Sequence, residues 1–210
     1  TLEKIAQELN EGGANVVIGS LDAANEQAKG KGVMVVFSDG IYGGRDVQKI
    51  STCQTDAFDS KDFGGMGYMV DGVPYFYNDS VKCHTTETEF DVSSLKELPK
   101  VGVAYFTIDA DPEILDYYKE SGVQGIVIAG AGSGCYSEQW NNKIDELAET
   151  GIPVVRCSRI GSGVITQDDY FIGNIARGND LAPQKAATLL RLILTVTNDI
   201  EQVQNMFDKY

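Results

Sequence analysis

Apolar residues at Leu2, Ile5, Ala6 and Leu9 repeat with the spacing of one helical face, so residues 1–10 are expected to form an amphipathic helix that stops before Gly12-Gly13. A second helix is expected over 14–28. Gly32 then enters the unbroken apolar run Val33-Met34-Val35-Val36-Phe37, which reads as a strand buried on both faces in a parallel sheet. Residues 39–61 are rich in loop signals. Around Asp71-Gly72, residues 66–77 take the pattern of a β-hairpin closed by a tight turn. Residues 78–99 are polar and without period, with Thr85, Thr86, Glu87, Thr88 and Glu89 in succession, and read as a linker.

From Val101 onward strand and helix patterns alternate: strand 101–105, helix 112–121, strand 125–129, helix 137–150, strand 153–156, then two terminal helices over 183–197 and 199–210. Pro183 sits near the start of the first of these, where a missing N–H leaves nothing unpaired. The expected fold is therefore α/β, with two α/β lobes, the second a small doubly wound, flavodoxin-like parallel-sheet domain. The expected division is 1–77 for the first lobe, 78–99 for the linker and 100–210 for the second lobe.

Charge narrows the functional classes. The chain has 210 residues and a formal net charge of −14, which argues against nucleic acid and anionic membranes, since both require a surplus of lysine and arginine on one face. The longest apolar stretches, such as 189–196, are too short to span a bilayer. Cys53, Cys83, Cys135 and Cys157 show no C-x-x-C pairing, so neither a zinc site nor a disulfide framework is expected, and each is read as a small buried or half-buried thiol. His84, the only histidine, is read as structural. Trp140, Tyr117 and Tyr118 are read as packing residues.

Two glycine-rich turns carry the candidate chemistry. The first is Gly43-Gly44-Arg45-Asp46-Val47-Gln48-Lys49, where a lysine follows a strand and a turn and can serve as a proton handler if burial or neighbouring charge lowers its pKa. The second, Gly130-Ala131-Gly132-Ser133-Gly134-Cys135, lies between a strand and a helix. It is not the G-x-G-x-x-G fingerprint and no Walker lysine follows, which disfavours a nucleotide site.

Taken in order, Gly32-Val33-Met34-Val35-Val36-Phe37-Ser38-Asp39-Gly40 with Gly43 to Lys49, Phe90-Asp91-Val92-Ser93-Ser94-Leu95, Gly125-Ile126-Val127-Ile128-Ala129-Gly130, Pro153-Val154-Val155-Arg156-Cys157-Ser158-Arg159 and Pro183-Gln184-Lys185-Ala186 resemble the bacterial-type (type II) L-asparaginases of the asparaginase/glutaminase family. The resemblance runs from about Glu11 to Tyr210. It implies hydrolysis of L-asparagine to L-aspartate and ammonia through an acyl-enzyme on a threonine, with no metal or cofactor, in a homotetramer of intimate dimers. It favours a periplasmic or secreted protein over a cytoplasmic one.

The family's Thr-Gly-Gly-Thr-Ile and Gly-Thr-Asp-Thr loops do not occur in these residues, so the chain is expected to correspond to the family's C-terminal two thirds. Lys49 matches the lysine of the family's Thr-Asp-Lys proton relay, and Arg45 and Asp46 are expected to pin its loop by charged hydrogen bonds. Gly132 and Cys135 match the loop that completes a neighbouring subunit's substrate pocket, with Cys135 in place of the usual asparagine. Tyr170 falls where the family has a glutamate that holds the substrate ammonium, which leaves Asp168 or Asp169 to supply the negative charge. Arg156 and Arg159 match an Arg-x-Ser-Arg motif and are expected to form structural or interface salt bridges. The alternative is a truncated, non-catalytic family member acting as a binding or interaction protein.

Overall fold

A computed structural model describes residues 15–17, 26–60, 62–171 and 173–210. The chain divides into two compact units, residues 1–88 and 89–210. The expected helix over 1–10 lies outside the described residues.

The first unit is built on an antiparallel sheet of five strands in the order β1-β2-β3-β6-β7: β1 (Asn15–Val17), β2 (Met34–Phe37), β3 (Gly40–Gly43), β6 (Gly67–Val70) and β7 (Val73–Phe76). A separate two-stranded ribbon joins β4 (Gln48–Lys49) to β5 (Phe58–Asp59). The expected hairpin is present: Val70 pairs with Val73, and Asp71 and Gly72 both take positive φ, the conformation a two-residue type I′ turn demands. The parallel sheet expected around residues 33–37 is not found. That strand pairs antiparallel with β1 and β3, and its burial alternates, so its apolar run does not mark two covered faces.

The helix expected over 14–28 is also corrected. Asn15–Val17 is a strand and Glu26–Ala28 a single 3₁₀ turn, with residues 14 and 18–25 outside the described part. Two adjacent β-branched valines favour extended pairing over a helix. In the stretch read as loop-rich, Ser38 and Asp39 both hold positive φ and turn β2 directly into β3. Aspartate tolerates that conformation, so a hairpin forms there without the glycine that normally signals one. A small core of Ala28, Met34, Val36, Ile41 and Met66 lies against this sheet.

The second unit contains a four-stranded parallel sheet with neighbours β11-β10-β9-β8: β8 (Val101–Tyr105), β9 (Gly125–Gly130), β10 (Val154–Ser158) and β11 (Ile175–Arg177). Helices α1 (Ile114–Glu120) and α2 (Glu138–Ala148) connect the first three strands and pack on each other. Helix α3 (Pro183–Ile193) lies on β8, β9 and β10, and α4 (Ile200–Lys209) on β11 and α3. Strands follow one another in chain order, and both faces are covered. All six residues of β9 are buried, as a doubly covered central strand requires.

One face carries Ile126, Ile128 and Val154 against Leu115, Trp140, Ile144 and Leu147. Val127 and Val155, which alternate to the opposite face, are wholly buried, as are Ala186, Leu190 and Ile193 of α3 and Val203 and Phe207 of α4. Ser137 caps α2 through Trp140 N–H, and Asp199 caps α4 through Gln202 N–H. Trp140 is a packing residue as expected, its indole N–H donating to Ala110 O at 2.7 Å, and Tyr118 donates to Val103 O at 2.8 Å. Tyr117 differs: it is 63% exposed. β11 gave no sequence signal, because three residues in a stretch of glycines and polar residues carry no period.

Candidate functional site

The candidate residues form two groups, one in each unit. In the first, Gly44 N–H donates to Val33 O at 2.7 Å and Val47 N–H to Gly43 O at 2.9 Å, which folds residues 43–47 into a tight turn at the end of β3. A Cβ on Gly44 would lie 3.1 Å from Val33 O, so the turn's close approach to the strand suits glycine. Arg45 and Asp46, expected to pin this loop, form an ion pair with each other at 2.8 Å, half-buried on the turn.

Lys49 follows in β4, where it pairs with Phe58, and Ile50 N–H extends the ribbon by donating to Ala57 O at 2.8 Å. Its ammonium stands over the Phe58 ring, 5.2 Å from the centroid, and Phe58 packs edge-on against Phe37 of β2. Lys49 is exposed. The burial expected of a proton-handling lysine is therefore not supplied within this unit; a strand of two residues at the unit's surface leaves the side chain in solvent.

The second group sits at the carboxyl end of the parallel sheet, the edge at which open α/β sheets bind ligands. There β9 runs into a turn closed by reciprocal bonds, Ala131 N–H to Cys135 O at 2.8 Å and Cys135 N–H to Ala131 O at 2.7 Å. Those two amides face each other rather than a ligand, which speaks further against a phosphate cradle. A Cβ on Gly130 would overlap the Gly134 carbonyl, so the turn can close only over glycine. Gly132 and Cys135 are exposed on it, and Ser158 at the end of β10 donates its hydroxyl to Gly132 O at 2.5 Å.

Asp168 and Asp169 are exposed on the following loop, where Asp168 accepts from Tyr170 N–H at 2.9 Å. Arg156 brings this loop and the turn together. It is 2% exposed, and its guanidinium donates to Ser133 O and to Thr166 O, both at 2.7 Å, while stacking 4.2 Å from the centroid of Phe171. Phe171 meets Tyr136 and Tyr170 edge-on, each at 4.8 Å. Of the structural or interface salt bridges expected of Arg156 and Arg159, none forms within the chain among the described residues: Arg156 binds carbonyls and a ring, and Arg159 donates to Phe106 O at 3.0 Å. The backbone turns of two loops present carbonyls to these strand ends, and a guanidinium fork satisfies them.

Burial shapes the titration here. It lowers Arg156 from the usual guanidinium value, opposed by the nearby Tyr136 and Asp168, and raises the Tyr136 phenol. It also pushes the Cys157 thiol up to about 12. All four cysteines are free, but Cys53 and Cys135 are exposed, a departure from the buried or half-buried placement expected of them. Both lie on surface turns. His84, read as structural, is half-buried with its ring against Gly32, and its Nδ1 lies 3.2 Å from Thr85 Oγ1. Among the described residues no cluster of histidine, cysteine or carboxylates could hold a metal ion, and no helix is long and apolar enough to cross a membrane.

Two family profiles match in sequence order: "Asparaginase, N-terminal" over residues 4–82 and "Glutaminase/Asparaginase C-terminal domain" over 100–207. L-asparaginase 2 of Bacillus subtilis is 40% identical over 189 residues, a stretch that takes in 90% of this chain and 50% of that protein. L-asparaginase 2 of Escherichia coli is 38% identical over 204 residues, 95% of this chain and 58% of that one. A crystal structure of a probable cytoplasmic L-asparaginase from Campylobacter jejuni superposes with a TM-score of 0.84 at 40% identity, over 89% of this chain and 61% of that one. The chain thus spans between half and three fifths of the length of these relatives. With both family domains present in order, a matching fold and this level of identity, the chain belongs to the glutaminase/asparaginase family.

Proposed function

We propose that the complete protein is an L-asparaginase, hydrolysing L-asparagine to L-aspartate and ammonia through an acyl-enzyme on a threonine that these 210 residues do not contain. The observation that supports this reading is the Gly43-to-Lys49 turn, closed by backbone hydrogen bonds to Val33 and Gly43 and carrying the Arg45–Asp46 pair, in a chain that matches both family domains. Lys49 takes the proton of the threonine hydroxyl, a role that requires the nucleophile-bearing part of the protein to cover it and lower its pKa. Gly132 and Cys135, with Asp168 or Asp169 for the substrate ammonium, complete the pocket of a neighbouring subunit, in a homotetramer. No metal or cofactor enters.

Lys49→Met in the complete protein should lower kcat for asparagine by roughly 10² or more with the fold intact, the scale of a lost proton-transfer group. Activity within a few fold of the parent removes Lys49 from the mechanism. The 210-residue chain alone should release no ammonia from asparagine, because acyl transfer needs nucleophile, base and oxyanion donors within reach of one another.

A second reading, a non-catalytic binding or interaction protein, is favoured by the exposure of Lys49 and by Tyr170 standing where the family has a glutamate. Calorimetry with asparagine beside an ammonia assay separates the two: binding by the complete protein without turnover selects the second.

A further inference from the structure

Among the described residues Arg156 is the one buried cation at the carboxyl end of the parallel sheet, and its partners are unusual for a buried charge. Among the described residues they are two backbone carbonyls and an aromatic ring, with Asp168 acting only through space. Burying a guanidinium without a carboxylate beside it is costly, and an apolar side chain of similar volume would pack among Ile128, Tyr136 and Phe171 without that cost. Stability alone therefore does not account for arginine here.

What the guanidinium does is geometric. Ser133 lies 23 residues before it and Thr166 10 residues after it, and its two amino groups reach one carbonyl on each side. The stack on Phe171 fixes the plane of the fork, and Phe171 in turn is held edge-on by Tyr136, the residue that follows the 131–135 turn. The turn and the 166–171 loop are thus tied to one rigid strand end by one side chain.

We propose that Arg156 is a positioning residue that locks the Gly130–Cys135 turn and the 166–171 loop into a single unit, so that Gly132, Cys135, Asp168 and Asp169 meet substrate in one fixed arrangement. The substrate part of this inference rests on the asparaginase reading above; the locking of the two loops does not. Lysine cannot replace the residue, because a single ammonium on a flexible stem cannot span both carbonyls in one plane.

The test is hydrogen exchange by mass spectrometry on the complete protein, comparing the parent with Arg156→Lys and Arg156→Met, alongside asparagine kinetics. Peptides covering 131–135 and 165–171 should both exchange faster by about tenfold while β9 keeps its protection, the signature of local rather than global opening. KM for asparagine should rise by about tenfold with kcat within about threefold, as expected when binding groups lose their placement but the reacting groups keep theirs.

Faster exchange in both loops with KM unmoved upholds the lock and overturns the substrate reading. Faster exchange in one loop only, unchanged exchange, or restoration of both readouts by Arg156→Lys overturns the lock. If Arg156→Met does not fold, Arg156→Lys carries the comparison, and faster exchange throughout residues 89–210 in that variant marks a merely structural residue and overturns the proposal.

Discussion

Trp140, the chain's single tryptophan, offers a quantitative check on how the second unit is held together. It is 1% exposed, donates its indole N–H to Ala110 O at 2.7 Å, and meets Phe106 edge-on at 5.5 Å between centroids. Trp140→Phe keeps an aromatic ring but removes three heavy atoms and the N–H. Losing the hydrogen bond and leaving Ala110 O without its partner costs about 1 kcal/mol. The lost apolar volume, and the gap left in a close-packed layer among Leu115, Ile144 and Leu147, adds about 2 kcal/mol.

The sum, about 3 kcal/mol, corresponds to a fall in Tm of on the order of 10 °C for a unit of this size. The assay is thermal unfolding of the 210-residue chain followed by far-ultraviolet circular dichroism, with the trapping rate of the buried Cys157 thiol reporting on this unit alone. Tyr117→Phe, at an exposed ring on α1, is the control and should change stability by less than about 0.5 kcal/mol. A Tm loss for Trp140→Phe of less than about 3 °C would refute the reasoning, because it would mean that neither the bond nor the volume is used.

Further outcomes follow from the same geometry. With Ellman's reagent at pH 8, Cys53 and Cys135 should react quickly in the native chain and Cys157 only after unfolding; a fast native reaction of Cys157 would contradict its burial. Because burial holds Cys157 near 12 against an unfolded value near 9, the unfolded state releases this proton first as pH rises, so stability should fall between those values. Cys157→Ala should flatten that alkaline decline, and an unchanged profile would exclude this thiol as its source. Gly130→Ala drives a methyl group into the Gly134 carbonyl, so it should raise KM for asparagine in the complete protein by about tenfold or more, and an unaltered KM would show that the turn does not contribute to binding. Light scattering of the complete protein should give a tetramer with a dimer interface burying more than about 2,000 Å², and a stable monomer at micromolar concentration would contradict the assembly.

Much of the second unit was legible because its helices bury one face against the sheet and its strands are short apolar runs covered on both faces. Period and burial then coincide: residues 101–105, 125–129 and 153–156 read as strands and are strands, and Ser137, Asp199 and Pro183 mark helix starts through local chemistry. Asp71-Gly72 specified its hairpin for the same reason, since few dipeptides accept positive φ at both positions. Lys49, Gly132, Cys135, Asp168 and Asp169 were singled out as candidates through motif order. Neither the exposure of Lys49 nor the grip of Arg156 had any local signal.

The amino-acid sequence by itself determined the family, the order of the two domains, most elements of the parallel sheet and the turns that need glycine or aspartate, because these rest on interactions among residues close in the chain. Tertiary structure decided what depends on distant partners. Whether the run at 34–37 pairs parallel or antiparallel depends on which strands lie beside it, and here β1 and β3 do so antiparallel. Whether Asn15–Val17 becomes helix or strand depends on the free edge that β2 offers. Whether Arg156 finds a carboxylate or two carbonyls depends on where loops 23 residues before and 10 residues after it come to rest. Hydrogen-bond partners across such separations are chosen when the layers pack, and hydrophobic period records only which face is buried, not what it is buried against.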